Sequence, residues 1–493
     1  MSGFDLTVRG GRIATADAVF EADIGIRDGR IAALGTGLPA GAQDLDARGR
    51  WVLPGGIDSH CHIEQLSGMG IMGADDWHSG TVSAAFGGTT TVIPFAAQHR
   101  GHKIPEVLAD YQRRAREKAV IDYGMHLIVT DPDEQALAHD LPQAIRAGIT
   151  SFKVYMTYEL LRLDDYQLLD VLALARREGA LVMVHAENND MIRWLARRLL
   201  QRGHGAPRFH GVAHDPLAES EATHRAVALA RLVDVPVLIV HVAGGDAVQV
   251  VRSSRLLGAP VLAETCPQYL FLTADDLDRP GLEGAKYCCS PPPRDAAAQE
   301  ALWAGLKDGT LGIYSSDHSP YRFDASGKLP KGEQTTFKDM ANGVPGIELR
   351  MPLLFSEGVQ AGRLDIREFV ALTATNHART YGLAGRKGGI AVGLDADLAL
   401  WDPGREVRVG AAMLHDRVGY TPYEGRIVRG WPETVLCGGR VVVRGGQLHA
   451  APGSGRFIAR AHPEPPLPAP QPRAGAPRGF AELVGLQRPG GAA

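Results

Sequence analysis

Apolar residues follow two distinct patterns along the chain. Near both ends they form short strand-like runs, at residues 4–8, 12–14, 22–26, 30–34, 396–401 and 435–446. The pairs Gly10-Gly11 and Asp28-Gly29 separate the early runs. Glycine-rich two-residue turns between such runs predict antiparallel hairpins. Both ends of the chain are therefore expected to build one small β-sandwich domain.

Between the two ends, apolar runs alternate with longer segments of helical spacing. Eight such runs occur, at residues 56–58, 89–95, 123–129, 150–155, 181–185, 235–241, 260–264 and 311–315. The segment 217–233 has apolar residues at helical spacing and few glycines or prolines. Strands that are joined through helices pair in parallel, so eight such units predict an α/β fold, the (β/α)8 TIM barrel.

These patterns divide the chain into three parts. Residues 1–53 with 386–460 are assigned to the β-sandwich, and residues 54–385 to a catalytic barrel. Residues 461–493 include Pro463-Glu-Pro-Pro-Leu-Pro-Ala-Pro-Gln-Pro, which cannot form regular backbone hydrogen bonds and predicts an extended arm. That arm is either a disordered end or a segment that clasps a neighbouring subunit.

The composition of the chain limits which kinds of binding partner and which cellular location are expected for the protein. The 493 residues are 45% hydrophobic and 22% charged, which is ordinary for a large globular core. A formal net charge of -4 without a long basic run favours a small neutral substrate over nucleic acid or a membrane. The N-terminus has no basic region followed by an apolar block, and the five cysteines are irregularly spaced. We therefore expect a soluble cytoplasmic protein with reduced thiols.

Polar residues that can bind metals occur where the predicted barrel strands end. They are His60, His62, His185, His241 and Asp317. Functional residues of TIM barrels lie at the carboxyl ends of the strands. His60 and His62 also point the same way, because side chains alternate along an extended segment. One such histidine alone is commonly structural, but five together at one rim favour a metal site.

Lys153, in the fourth predicted strand, leaves two interpretations open. An ammonium group has three donors and no acceptor, so it cannot coordinate a cation. Lys153 is then a salt-bridged barrel lysine. Alternatively, carbon dioxide converts the amine into a carbamate, whose two anionic oxygens can bridge two metal ions. Composition does not decide between the two.

Seven segments, in order, resemble the signature stretches of dihydropyrimidinases and D-hydantoinases, in the amidohydrolase superfamily. They are Pro54-Gly-Gly-Ile-Asp-Ser-His-Cys-His, Ser151-Phe-Lys-Val-Tyr-Met-Thr-Tyr, Val182-Met-Val-His-Ala-Glu-Asn, Glu264-Thr-Cys-Pro-Gln-Tyr, Cys289-Ser-Pro-Pro, Ser316-Asp-His and Asn342-Gly-Val-Pro-Gly. The resemblance extends from about residue 5 to residue 460. It implies hydrolysis of the cyclic amide bond of dihydropyrimidines or 5-substituted hydantoins to the N-carbamoyl amino acid.

The resemblance also implies a site with two zinc ions. His60, His62 and Asp317 would bind one ion, His185 and His241 the other, and N6-carboxylated Lys153 would bridge them. A hydroxide shared by the two ions would attack the ring carbonyl, with Asp317 carrying the proton. Tyr158 would stabilise the oxyanion, and Tyr158, Ser290 and Asn342 would hold the substrate. A homotetramer is implied as well.

Other residues near these motifs have plainer interpretations. Cys288 and Cys289 are expected to be buried structural thiols and not nucleophiles. His318 is expected to support the site beside Asp317. The loop after Ile63, with Met69 and Met72, is expected to be a pliable apolar lid, although surface packing alone would also explain it.

Three alternatives to this function stay open. Another cyclic amidohydrolase, such as an allantoinase or a cyclic imide hydrolase, would use the same metal ligands. A dihydroorotase would need a cationic residue for the substrate carboxylate, and none is evident beside the metal motifs. A non-catalytic scaffold homologue would have lost metal ligands, whereas this chain has all six.

Overall fold

The computed structural model describes residues 3–463 and 480–486. Its strands are β1 (Leu6–Ala14), β2 (Val19–Arg27), β3 (Arg30–Gly35), β4 (Gln43–Asp46), β5 (Trp51–Pro54), β6 (Gly56–Asp58), β7 (Thr89–Val92), β8 (Phe95–Ala97), β9 (Asp122–Tyr123), β10 (His126–Ile128), β11 (Ser151–Tyr155), β12 (Leu181–His185), β13 (Val237–Ile239), β14 (Val261–Thr265), β15 (Ile313–Tyr314), β16 (Leu398–Arg408), β17 (Ile427–Cys437), β18 (Arg440–Arg444) and β19 (Gln447–Leu448).

The α-helices are α1 (Trp77–Phe86), α2 (Ile104–Lys118), α3 (Leu141–Arg146), α4 (Asp165–Glu178), α5 (Asn189–Gln201), α6 (Arg208–Ala213), α7 (Pro216–Val233), α8 (Gly245–Leu256), α9 (Pro267–Phe271), α10 (Ala296–Lys307), α11 (Arg350–Leu354), α12 (Ile366–Val370), α13 (Asn376–Thr380) and α14 (Phe480–Leu483). Short 3-10 or π turns lie at Ala136–Asp140, Ala274–Asp278, Glu283–Tyr287, Gly332–Gln334, Phe355–Gln360, Ala371–Thr375 and Ala411–Met413. In the described part of the chain, no helix is long and apolar enough to cross a bilayer.

Strands β6 to β15 form the barrel. All of their pairings are parallel, in the orders β6-β7-β9 and β8-β10-β11-β12-β13-β14-β15. The second and third predicted strands are each split in two, at Ile93-Pro94 and Gly124-Met125, where Pro94 has no N–H to donate. A parallel bridge between Cys61 and His318 joins the first strand unit to the eighth and closes the ring.

The two chain ends meet in a second, nine-stranded sheet. Its order is β19-β18-β17-β16-β5-β1-β2-β3, with β4 beside β1. A separate apolar core unites residues from the first fifty positions with Ile390, Leu398 and Leu436. The predicted fold class, a TIM barrel beside a β-domain from both ends, is confirmed. The exact domain boundaries stay a prediction, and most of the proline-rich arm lies outside the described residues.

One early turn is not where we expected it. The prediction of a hairpin turn at Gly10-Gly11 is wrong, because β1 continues through this pair with a shift of register against β2. Gly10 adopts a φ of 60°, and its N–H donates to Asp23 Oδ1 at 2.9 Å. A glycine at positive φ lets a strand absorb an extra residue as a bulge. The turn at Asp28-Gly29 does occur, with both residues at positive φ.

A buried ion cluster joins the barrel to the second sheet. The ammonium of Lys387 contacts Asp122 Oδ2 of β9 at 2.9 Å, and also Asp397, which directly precedes β16. All three side chains are buried. The two carboxylates lie close enough together to hold a metal ion. Because the ammonium of Lys387 already lies between them, we interpret the three residues as a structural ion cluster and not as a metal site.

Replacing Lys387 with methionine is expected to lower the free energy of unfolding by about 3–5 kcal/mol, because the buried Asp397 carboxylate loses its only cation among the described residues and Asp122 keeps only Arg456. Urea unfolding followed by tryptophan fluorescence measures the change. Lys307→Met is the matched control, since Lys307 is exposed and pairs with Glu368 alone, and its expected effect is below about 1 kcal/mol. Equal unfolding midpoints for the two variants would contradict a stabilising role for the cluster.

Candidate metal centre and substrate cavity

A cavity of about 450 Å³ opens at the carboxyl ends of the barrel strands. All nine candidate site residues line it: His60, His62, Lys153, Tyr158, His185, His241, Ser290, Asp317 and Asn342. They come from distant parts of the sequence and meet because parallel strands end at one rim. The fold therefore places every one of these side chains in a single cavity.

His60, His62 and Asp317 form a compact group in the cavity wall. One ligand-capable atom of each lies within 4.8 Å of the others. Asp317 Oδ1 is 3.2 Å from His60 Nε2 and 3.4 Å from His62 Nε2. Burial disfavours the charge on Asp317, but the His60, His62 and His241 rings together outweigh it and hold the pKa of the carboxyl well below its usual value. Two imidazoles and an ionised carboxylate fit a zinc ion.

His185 and His241 form a second pair beside that group. Their ring centroids are 4.5 Å apart, and the His241 ring lies 5.3 Å from the His60 ring. His185 Nε2 bonds to Glu187 Oε2 at 2.7 Å, while Nδ1 of His241 is buried with no hydrogen-bond partner in the described part of the chain. Buried polar atoms normally have partners, so this imidazole pair also fits a cation site.

Lys153 lies between these histidines and two aromatic rings. Its Nζ is 3.4 Å from His60 Nε2, and 5.0 and 5.3 Å from the ring centres of Phe95 and Tyr155. Among the described residues it forms no ion pair, and burial lowers the pKa of the ammonium to about 8. A salt-bridged barrel lysine does not describe this residue. A side chain that can become an uncharged amine fits the carbamate interpretation.

Two buried glutamates support the histidines, and the sequence reasoning missed both roles. Glu264 bonds to Nδ1 of His60 and also accepts the backbone N–H of His241 at 3.2 Å. Glu187 bonds to His185 and, through Oε1, to Nδ1 of His214 at 2.8 Å. Carboxylates on the outer nitrogen of a ligand histidine fix its orientation. The signal was an acidic residue at or just beyond the end of an apolar strand.

Tyr158, Ser290 and Asn342 form the polar side of the cavity away from the histidine groups. The Ser290 and Asn342 side chains lie near enough to the Tyr158 hydroxyl to act on its pKa, which burial raises well above its usual value. Ser290 Oγ also lies 3.1 Å from His210 Nε2. These three side chains therefore place hydrogen-bond donors and acceptors in one part of the cavity, where they could bind a small ring that carries polar groups.

Lys328 connects the two segments that carry Ser290 and Asn342. It is fully buried, and its ammonium donates to the carbonyls of Cys288 and Ala341, each at 2.7 Å. No carboxylate pairs with it in the described residues, and burial lowers its pKa to about 8. A buried cation held by two carbonyls fixes the spacing of the segments that it joins.

Three cavity residues have an uncommon backbone conformation. Tyr158, His241 and Asp317 have φ values of 69°, 40° and 48°. Side chains other than glycine rarely adopt this region, and such residues cluster at functional sites. The conformation directs these side chains into the cavity from tight turns after their strands.

The residues with plainer interpretations lie as follows. Cys288 and Cys289 are buried, and burial raises the pKa of the Cys288 thiol to about 11, which suits structural thiols. His318 Nε2 is 2.9 Å from Asp75 Oδ2, and its Nδ1 accepts the N–H of Gly346, so it fixes the segment after Asp317. In the predicted lid, Ser67, Gly68 and Met69 line the cavity, whereas Met72 does not.

Comparison with known proteins gives one consistent result. Residues 51–442 match the model of the amidohydrolase family. A D-hydantoinase from Rhizobium radiobacter is 42% identical over 92% of this chain and 99% of its own length. A D-hydantoinase from Geobacillus stearothermophilus is 43% identical over 92% of this chain and 96% of its own.

Solved structures agree with the sequence matches. A D-hydantoinase structure superposes with a TM-score of 0.91 at 41% identity, covering 94% of this chain and all of that one. A dihydropyrimidinase from Brevibacillus agri NCHU1002 gives 0.91 at 41% identity, over 93% and 99% of the two chains. The chain belongs to the amidohydrolase family and, within it, to the hydrolases of the D-hydantoinase and dihydropyrimidinase group.

Proposed function

We propose that this protein hydrolyses the ring amide of dihydropyrimidines or 5-substituted hydantoins to the N-carbamoyl amino acid. The observation that carries the proposal is the convergence of four imidazoles, one carboxylate and a buried lysine on the cavity that Tyr158, Ser290 and Asn342 also line. The names of the relatives, D-hydantoinase and dihydropyrimidinase, point to the same class of substrate.

Two zinc ions are proposed as the cofactor. His60, His62 and Asp317 would hold one ion, His185 and His241 the other, and Lys153 would bridge them as its N6-carboxylate. When bound, two such ions lower the pKa of a shared water towards neutrality and polarise the ring carbonyl. The donor set of imidazole nitrogens and carboxylate oxygen suits zinc.

The chain's own residues would then bind the ring and move protons. Asp317 would take a proton from the attacking water and pass it to the leaving ring nitrogen, acting first as a base and then as an acid. The Tyr158 hydroxyl would donate to the carbonyl oxygen as negative charge develops there. Ser290 and Asn342 would hold the amide edge of the ring, at the spacing that Lys328 fixes.

The test is to prepare the protein with zinc and bicarbonate, determine metal per chain, and measure turnover of five rings. Dihydrouracil, hydantoin and 5-phenylhydantoin represent the proposed class, and succinimide and allantoin represent the alternatives. Two zinc ions with ring opening in the first class are expected. Turnover of succinimide or allantoin alone would show that the proposed substrate class is wrong. A protein that binds no metal would contradict the proposal that it is an enzyme of this kind.

Changing Glu264 to glutamine is expected to weaken metal binding by about 10- to 100-fold, because the amide no longer fixes His60 as a carboxylate does. Competition with a chromogenic chelator measures the affinity. The matched control is Glu300→Gln, since Glu300 is exposed and pairs with Arg363 far from the cavity. Identical affinities in the two variants would show that Glu264 does not support the site.

The assembly and location are proposals as well. The homotetramer follows from the family resemblance. The cytoplasmic location follows from the sequence, and the five cysteines, all free and buried in the structure, suit a reducing compartment. Light scattering coupled to size exclusion measures the assembly. A monomer or a dimer as the main species would contradict the tetramer.

A further inference from the structure

The cavity wall carries five residues with formally charged side chains besides its histidines. They are Lys153, Glu159, Arg193, Asp317 and Lys338. Lys153 and Asp317 belong to the proposed metal centre. Arg193 Nε lies 2.8 Å from Glu159 Oε1, so these two exposed groups neutralise each other.

Lys338 is the remaining charge, and it has no ion-pair partner in the described part of the chain. The carboxylate next to it in sequence, Asp339, is already engaged. Its Oδ1 lies 2.6 Å from Lys331 Nζ, and its Oδ2 accepts both the N–H and the hydroxyl of Thr336. Lys338 is therefore the one formally charged residue of the cavity wall, apart from the proposed metal centre, that has no ion-pair partner in the described part of the chain.

The position of Lys338 relates it to the substrate. It lies on the segment that also carries Asn342, and Phe337, Ala341 and Gly343 of the same segment line the cavity with it. Lys338 is exposed while Phe337 is buried. The segment thus extends from the proposed ring-binding residue to a charge at the solvent side of the cavity.

The rest of the wall suits a substituent with an apolar stem. Met69, Leu160, Leu161, Ile192 and Ala196 line the cavity. A volume of about 450 Å³ is within the range of sites that enclose ligands much larger than a single small ring. Space, apolar walls and one unpaired cation at the solvent side describe a pocket for a chain that ends in a negative charge.

We propose that Lys338 selects cyclic amides whose ring substituent ends in an anionic group, a carboxylate on a short alkyl stem. This rests on the proposed ring-opening function and names the substrate class within it. An ammonium near a carboxylate at a partly enclosed site contributes attraction that salt screens. The sequence alone did not place a cation near the metal motifs, because Lys338 reaches the cavity only through the fold.

The test compares two isosteric substrates, 5-(2-carboxyethyl)hydantoin and 5-(2-carbamoylethyl)hydantoin, in the zinc-loaded enzyme. The expected ratio of kcat/KM favours the carboxylate by about fivefold at low salt, the upper end of what an exposed ion pair supplies, and it falls as salt rises. Lys338→Met is expected to abolish the preference and Lys338→Glu to reverse it. Turnover of the amide analogue in the same variants reports whether the site is intact.

Lys307→Met is the surface control and Arg193→Met the competing cation. A preference that disappears in Lys338→Met and persists in both of the others supports the inference. Ring opening of both analogues with no preference, or a preference that only Arg193→Met removes, overturns it while the proposed function stands. Opening of neither analogue, nor of any simpler ring, overturns the proposed function and the inference with it.

Discussion

Lys153→Ala is expected to lower kcat/KM by about a thousandfold or more and to reduce the zinc content of the chain. The reason is that alanine removes the proposed bridge between the two ions, and metal-ion catalysis supplies several kcal/mol of transition-state stabilisation. Lys153 is buried beside His60 and has no ion pair with any of the described residues. Its removal breaks no salt bridge among the described residues, but the cavity that alanine leaves costs some stability. The loss of activity is therefore expected to exceed what the loss of stability accounts for.

Metal analysis, kinetics and thermal unfolding of the same preparation test this result. Lys153→Met is the matched variant, because it retains the stem that packs against Phe95 and Tyr155 and lacks the nitrogen. Both variants should lose zinc and activity alike. If Lys153→Met kept two ions and full turnover, the carboxylated bridge would be wrong.

The second large effect is expected for Asp317→Asn, with kcat lower by about a thousandfold. General acid–base catalysis contributes about 10²- to 10⁴-fold, and an amide cannot carry the proton from water to the leaving nitrogen. The amide oxygen can still face His60 and His62, which lie 3.2 and 3.4 Å from the present carboxylate oxygen. The fall in kcat should therefore exceed the loss of metal.

Comparing kcat with zinc per chain separates the two roles of Asp317. Asp324→Asn is the control, since Asp324 is a surface carboxylate that bonds to Ser326. Activity that falls only in proportion to metal would make Asp317 a ligand alone and contradict its role in proton transfer.

The fold and the meeting of the six proposed metal ligands at one rim could be predicted from regular features of the sequence. Tyr158, Ser290 and Asn342 were assigned only through the family resemblance. Eight apolar runs separated by helical segments have few closed arrangements, and His185 and Lys153 occupy strands that such an arrangement directs to one rim. The pairing of His60 with His62 follows from the alternation of side chains along an extended segment. The family segments then gave each residue a role, which stays a prediction.

What could not be predicted depends on contacts between distant residues or on small backbone changes. Glu264 is 204 positions from His60 in the sequence, and this spacing does not predict the hydrogen bond between them. Lys338 lacks an ion-pair partner among the described residues because the neighbouring Asp339 pairs with Lys331. The sequence does not indicate which of the two lysines pairs with Asp339. The pair Gly10-Gly11 is compatible with either a turn or a bulge. The bulge is stabilised by the hydrogen bond from the Gly10 N–H to Asp23, a contact that the sequence does not reveal.

The sheet built from both chain ends has a consequence for synthesis on the ribosome. Strand β5 pairs with β16, and Trp51 lies opposite Trp401. Trp401 is synthesised roughly 350 residues after Trp51, so β5 has no partner on that edge in the meantime. At about 5–20 residues per second this interval is on the order of 20 to 70 s. The hairpins β1–β3 can form early and β5 can join β1, but their apolar side and the edge of β5 that β16 will cover stay exposed during that time. The nascent chain is therefore expected to need a chaperone until residue 440 has emerged, long after its N-terminus has left the exit tunnel.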